Sequence, residues 1–173
     1  MNVILIGYMA SGKSSVGKVL AEKLKFGLID LDDYIEAKEQ DSIKNIFKKK
    51  GEIYFRKLET KYLEEILKNQ DNIVLSLGGG TPCYGNNMDY IRGNKNAKSI
   101  YFKTSIPTLV ERLKAEKDQR PLIAHIENDE MLVEFIGKHL FERSQFYNLA
   151  ELTVTTDDKT KERIVEDVLL ALF

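Results

Sequence analysis

Gly7-Tyr8-Met9-Ala10-Ser11-Gly12-Lys13-Ser14 is the stretch whose reading decides the fold. Two glycines five apart, followed by Lys and Ser, form the phosphate-loop pattern. By chance this pattern arises in roughly one chain of this size per hundred, and its flanks lower that further. Before it runs Val3-Ile4-Leu5-Ile6, an apolar, β-branched run that reads as a buried parallel strand. After it Val16, Val19, Leu20, Ala21 and Leu24 recur at helical spacing. The loop therefore joins a strand end to a helix start, where backbone N–H groups and the positive end of the helix dipole face one point. Gly7 and Gly12 let the backbone wrap an anion with no Cβ in the way. Ala10, Ser11, Gly12, Lys13, Ser14 and Ser15 form the phosphate cradle. Within it Lys13 reaches the β- and γ-phosphates and the Ser14 hydroxyl is placed to ligate Mg²⁺.

The remaining composition narrows the class. The 173 residues suit a single α/β domain, 1–173, with an ample core. A hydrophobic share of 43% with 31% charged residues is ordinary for an enzyme-sized globular domain. The net charge of -1 gives no broad basic surface for nucleic acid or an anionic membrane. Cys83 is the only cysteine, which rules out an internal disulfide and a Cys-rich metal site. The first apolar run is too short for a signal peptide or a membrane span. We therefore expect a cytoplasmic protein with no nucleic-acid or membrane partner.

Along the chain, strands are expected at Phe26 to Asp30, Ile73 to Leu77, Lys98 to Lys103 and Leu152 to Thr155, in addition to the first. Helices fall between them. Asp32-Asp33 caps one carrying Tyr34, Ile35 and Ala37, and Asp41-Ser42 caps the next, which Gly51 breaks. A long helix then runs to about Lys68, and Ser105 with Pro107 starts another. Helices from about Glu130 to Tyr147 and through Ile164 to Leu172 complete the set. Lys114 to Asp129 is charged and weakly periodic, and reads as a mobile flap carrying Arg120. Repeated β-loop-α units with right-handed crossovers give a parallel sheet covered on both faces. Ligands bind such sheets at the strands' carboxyl ends.

Three further signals lie at those ends. Asp30 and Asp32 follow the second strand. Residues two apart on an extended segment aim together, so one carboxylate could hold Mg²⁺ through water while the other orients an acceptor hydroxyl. The structural alternative is helix capping, which suits Asp33 better. Gly78-Gly79-Gly80 exceeds what a tight turn needs, and backbone N–H groups turned to a ligand would explain it. No acidic residue closes that strand, which leaves Asp30 as the nearest metal candidate. Arg56, between Glu52 and Glu59, fits a helix-surface ion pair, and Arg143 could be equally bland. Arg120 could reach a transferring phosphoryl group if the flap closed. His125 and His139 are too isolated to suggest a role, and Tyr8, Met9 and Phe55 read as core.

Taken together the pattern resembles the shikimate kinase family over essentially the whole chain. The residues that carry the resemblance are Gly7 to Ser14 with Gly17 behind, Asp30-x-Asp32, Phe55-Arg56-x-x-Glu59, Leu77-Gly78-Gly79-Gly80, Arg120-Pro121-Leu122 and Arg143-x-x-x-Tyr147. The resemblance implies phosphoryl transfer from ATP to shikimate on a three-layer α/β/α P-loop kinase fold, with a five-stranded parallel sheet ordered 2-3-1-4-5. It implies that Asp32 holds the reacting hydroxyl, and that Arg56 and Arg143 hold the substrate carboxylate. Gly78, Gly79 and Gly80 would line the substrate site, within a substrate-binding region of about 31–62. Lys13 and Arg120 would be catalytic, Arg120 in a lid of about 114–129, and Ser14 and Asp30 would serve Mg²⁺. A monomer is expected. Ala10 stands where the family often has a third loop glycine, Leu31 where a small polar residue is common, and Gln145 where proline often follows. The alternatives are another small-molecule P-loop kinase, such as a gluconate kinase, and a catalytically silent nucleotide-binding module.

Overall fold

A computed structural model describes residues 1–173. In order, the chain forms β1 (Asn2–Ile6), α1 (Lys13–Leu24), β2 (Gly27–Asp30), α2 (Leu31–Glu39), α3 (Ile43–Asn69), β3 (Ile73–Ser76), α4 (Asn87–Gly93), β4 (Ala97–Lys103), α5 (Ile106–Glu116), α6 (Asp129–Tyr147), β5 (Leu152–Thr155) and α7 (Lys161–Leu172). The five strands are all parallel and ordered β2-β3-β1-β4-β5, as expected. Alternation along the central strand divides the interior in two. Ile4 and Ile6 face a core shared with α2 to α6, whereas Val3 and Leu5 face a second core closed by α1 and α7. The sheet is thus covered on both faces, which gives the three expected layers. No helix is long and apolar enough to cross a membrane.

Capping chemistry sets most helix starts. Ser42, Ser105, Asn128 and Thr160 each accept a backbone N–H from three residues on, at α3, α5, α6 and α7. One expectation is corrected here. Asp30, not Asp32 or Asp33, caps α2, and its side chain accepts from the N–H groups of Asp32 and Asp33. Helix α2 starts at Leu31, so no loop separates it from the strand. Gly51 interrupts α3 at φ 82 and ψ 174, a left-handed conformation outside helical geometry.

The expected flap is also smaller than its sequence suggests. Lys114 to Glu116 complete α5, a 3₁₀ turn covers Lys117–Gln119, and Asp129 already belongs to α6. Between them Ile123 and Ile126 are buried in the main core. Two anchors three residues apart are too few to register as a periodic pattern.

Candidate active site

The phosphate loop leaves β1 and enters α1 through Gly12, whose φ of 94 places it in the left-handed region. No side chain caps α1, so its first N–H groups remain turned toward the loop. Gly7 could carry no side chain, since a Cβ there would lie 2.7 Å from Ser11 Oγ and 3.0 Å from the Phe102 carbonyl oxygen. Ala10 also adopts a left-handed φ of 64, which is the conformational reason for a glycine at this place. The Lys13 ammonium lies inside the loop and donates to the carbonyls of Gly7 at 2.7 Å and Tyr8 at 3.0 Å. Burial lowers its pKa to about 8, while the Asp32 and Asp30 carboxylates oppose that loss of charge.

Around the loop opens a cleft of about 670 Å³. It gathers Ala10 to Ser15 with Asp30, Asp32, Gly78, Gly79 and Arg120, residues from the ends of β1, β2 and β3 and from the segment after α5. Asp30 Oδ2 faces the Ser14 hydroxyl at 3.3 Å, while its Oδ1 caps α2. Burial first, then the neighbouring carboxylates of Asp30 and Glu59, lift the Asp32 carboxyl to about 7.

The three glycines after β3 have a reason that sequence alone does not show. None of them has a left-handed φ, so the requirement is space, and each makes room for a different side chain. A Cβ on Gly78 would lie 3.1 Å from Asp32 Oδ1. One on Gly79 would lie 3.1 Å from Arg143 Nη1, and one on Gly80 2.5 Å from Arg56 Nη1. Asp32, Arg143 and Arg56 are therefore aligned along one strip of backbone. Arg56 makes the ion pairs its spacing suggests, to Glu52 at 3.4 Å and Glu59 at 2.7 Å, but not on an open surface, since only 16% of its side chain is exposed. Its Nη1 donates to the buried Glu59 at 2.7 Å, and its guanidinium lies 4.0 Å from the centre of the Tyr84 ring. Tyr147 fixes the strip from the other side, donating its hydroxyl to the Gly79 carbonyl at 2.6 Å.

A model of the shikimate kinase family matches residues 9–173. The chain belongs to the shikimate kinase family. A shikimate kinase of Flavobacterium psychrophilum is 43% identical over 171 residues, covering 99% of this chain and 98% of the relative. The crystal structure of the shikimate kinase of Bacteroides thetaiotaomicron superimposes with a TM-score of 0.89 at 34% identity, over 99% of this chain and 98% of that one. The Acinetobacter baumannii shikimate kinase, solved in complex with shikimate, gives 0.85 at 30% identity over 99% and 92%. The chain is thus an ATP-dependent phosphotransferase acting on shikimate. This decides against a gluconate kinase and against a silent nucleotide-binding module.

Several residues in and behind the cleft escape sequence reading. Arg112 donates to the Ala10 carbonyl at 2.9 Å and lines the cleft with Lys159, Thr160 and Lys161. On the amphipathic α5 it looks like any solvated arginine. His139 shares a hydrogen bond of 2.8 Å with the Tyr8 hydroxyl, which ties the phosphate loop to α6, the helix carrying Arg143. Burial and the charge of Arg143 hold its pKa at about 4, so the ring is neutral at pH 7. A lone histidine four residues before an arginine gives no signal for this contact.

Proposed function

We propose that Asp32 receives the 3-hydroxyl of shikimate, that Arg56 and Arg143 grip its carboxylate, and that Lys13 and Arg120 offset charge on the transferring phosphoryl group of ATP. The observation that carries this reading is the glycine strip. It places one carboxylate and two guanidinium groups side by side, as Gly78, Gly79 and Gly80 each adjoin one of them. A small hydroxy acid offers a hydroxyl to the first and a carboxylate to the others, and a planar guanidinium binds a carboxylate through two parallel hydrogen bonds.

Phosphoryl transfer asks for positioning and charge stabilisation more than for covalent chemistry by the protein. Asp32 stands about at neutral pH in its titration, which suits a group that must accept a proton as the hydroxyl attacks. Ala10 to Ser15 would cradle the phosphates with their N–H groups, and Lys13 would turn from the Gly7 and Tyr8 carbonyls toward the β- and γ-phosphates. Ser14 and Asp30 suit Mg²⁺. They offer a hydroxyl and a carboxylate oxygen, Asp30 Oδ2, whose one bond is a long 3.3 Å contact with that same hydroxyl, hard donors for an ion that keeps several of its waters. No three His, Cys, Asp or Glu side chains gather into an all-protein cage, so most of the remaining ligands would be water and nucleotide oxygens. When bound, the ion supplies charge neutralisation across those phosphate oxygens.

We further read residues 31–62 as the substrate-binding region and the expected lid of 114–129 as narrowed to about 117–122, within one domain. The catalytic unit is read as a monomer, because a single chain provides every residue named. Two substitutions test the division of roles. Asp32→Asn is expected to lower kcat by about 10²-fold or more, with Mg·ATP and shikimate binding by calorimetry kept within a few-fold. Asp30→Asn is expected to raise the Mg²⁺ concentration needed for half-maximal rate. Near-normal kcat in Asp32→Asn would remove it from the reaction.

A further inference from the structure

Glu59 on α3 is 1% exposed, and a carboxylate so buried is costly unless its lone pairs are satisfied. One oxygen accepts from Arg56 Nη1 at 2.7 Å, and the other accepts the hydroxyl of Thr81. Thr81 is fully buried and comes directly after the glycine strip, to which its N–H is tied by a 3.1 Å bond to the Gly78 carbonyl. Its own carbonyl accepts the amide of Asn87 at 2.8 Å, at the start of α4. Asn87 Oδ1 in turn accepts the Thr60 hydroxyl at 2.9 Å, one turn along α3 from Arg56. The bonds close a ring from α3 through the strip and α4 back to α3. No buried side-chain nitrogen or oxygen in the protein lacks a partner.

The geometry points to Thr81, anchored by Asn87, as a positioning residue that fixes Arg56 through Glu59. This rests on the reading of Arg56 as a shikimate carboxylate ligand. Nη1 is committed to Glu59 at 2.7 Å, Nε and Nη2 each reach the half-exposed Glu52 at 3.4 Å, and the face of the guanidinium lies against Tyr84. Glu59 is the buried partner with the shorter bond, so where it sits sets the place of the guanidinium, while the solvated Glu52 can yield Nε and Nη2 to a ligand. The Thr81 hydroxyl is what holds Glu59 there. Without it one buried carboxylate oxygen has no donor, and the side chain must turn to find one, taking Arg56 with it. The result is a fork held at a fixed place along the strip from Asp32, which is what discriminates a hydroxy acid of one length from another.

The test is Thr81→Val, which keeps the branched shape and removes the hydroxyl, beside Thr81→Ser, which restores it. For Thr81→Val the KM for shikimate is expected to rise about tenfold, the scale of one hydrogen bond to a charged group, with the KM for ATP within twofold. Thr81→Ser is expected to return to within about threefold of the parent. In an Arg56→Lys background Thr81→Val should add nothing, because the effect runs through Arg56. An unchanged shikimate KM in Thr81→Val beside a deficient Arg56→Lys overturns this inference alone. So do parallel rises in both KM values, failure of Thr81→Ser to restore, or full additivity with Arg56→Lys. Intact shikimate binding in Arg56→Lys overturns the reading of Arg56, and this inference with it.

Discussion

Asp32 shows what burying a carboxyl beside other carboxylates costs the fold. In the unfolded chain its carboxyl titrates near 3.8, and in the folded protein burial and the adjacent carboxylates lift it to about 7. The folded state therefore binds the extra proton between those values, so stability falls as pH rises from about 4 to about 7. Above that window the ionised form is fully disfavoured, by on the order of 4 kcal/mol before solvent relaxation is allowed for. Asp32→Asn removes the charge and keeps the shape. Its Tm is therefore expected to exceed the parent's by on the order of 5 °C at pH 8, and the difference should vanish near pH 4. A calorimetric scan at the two pH values checks it, and a variant equally stable or less stable at pH 8 would contradict the burial argument. Residues whose chemistry follows from a local pattern were legible in the sequence. Lys13 and Ser14 sit in a motif with a known mechanism. Asp30 and Asp32 both reach the cleft, though not by strand alternation, since Asp32 lies in the first turn of α2. Arg56 was not, because its ion pair and its place on the strip are compatible and only the former shows in spacing. Asp33 was misread as the cap because a strand that ends in Asp30 and turns into a helix at once uses that same Asp30 as its N-cap.

At the scale of elements, the segment between α5 and α6 is the one proposed to keep water from the phosphoryl donor. Arg120 donates Nε and Nη2 to Glu116 at 2.8 and 2.6 Å, and both residues line the cleft. To reach a γ-phosphate the guanidinium must exchange that carboxylate for a phosphate oxygen, a like-for-like trade of anionic partners. Ile123 and Ile126 hold the base of the segment in the core, which leaves only the residues around the 3₁₀ turn free of core anchors, with Leu122 52% exposed. We expect amide exchange across residues 117–122 to slow when nucleotide and shikimate are both bound, with little change at Ile123 and Ile126. Arg120→Ala is expected to lower kcat at least ~10-fold, at the modest end of what a phosphate-facing arginine contributes, with ATP affinity nearly kept. Exchange insensitive to both ligands, with normal turnover in Arg120→Ala, would make this a solvated loop. Charge and weak periodicity identified the segment in the sequence. Its boundaries did not show, because isolated core anchors carry no period and the end of α5 is as charged as the turn that follows.

Across the whole molecule, the alternation of apolar runs and helical patterns marks five strands and the helices between them, but not which strands are neighbours. Buried parallel strands all read alike, and the order 2-3-1-4-5 came from the family resemblance. What the sheet does for function follows from that order. It sets β1 between β3 and β4, so the phosphate loop, the glycine strip after β3 and the cap of α2 emerge side by side at one edge. On the proposed reading, a nucleotide site on the loop and an acid site on the strip would adjoin at Gly79, which lies between Arg143 and the loop backbone at Met9, yet draw on different elements. Ligands that bind only the folded state stabilise it by mass action, by about 2.7 kcal/mol at a hundredfold excess over Kd. For a chain of this size that is a Tm increase of about 5–10 °C. Mg·ATP and shikimate are each expected to produce it in the parent protein. Lys13→Ala should lose most of the increase from Mg·ATP and keep that from shikimate, and Arg56→Lys should show the opposite pattern. Thermal melts of the two variants with each ligand alone read this directly. If either variant lost both increases together, the two halves would form a single indivisible site, and the strip and the loop would have to be treated as one cooperative unit rather than two adjoining ones.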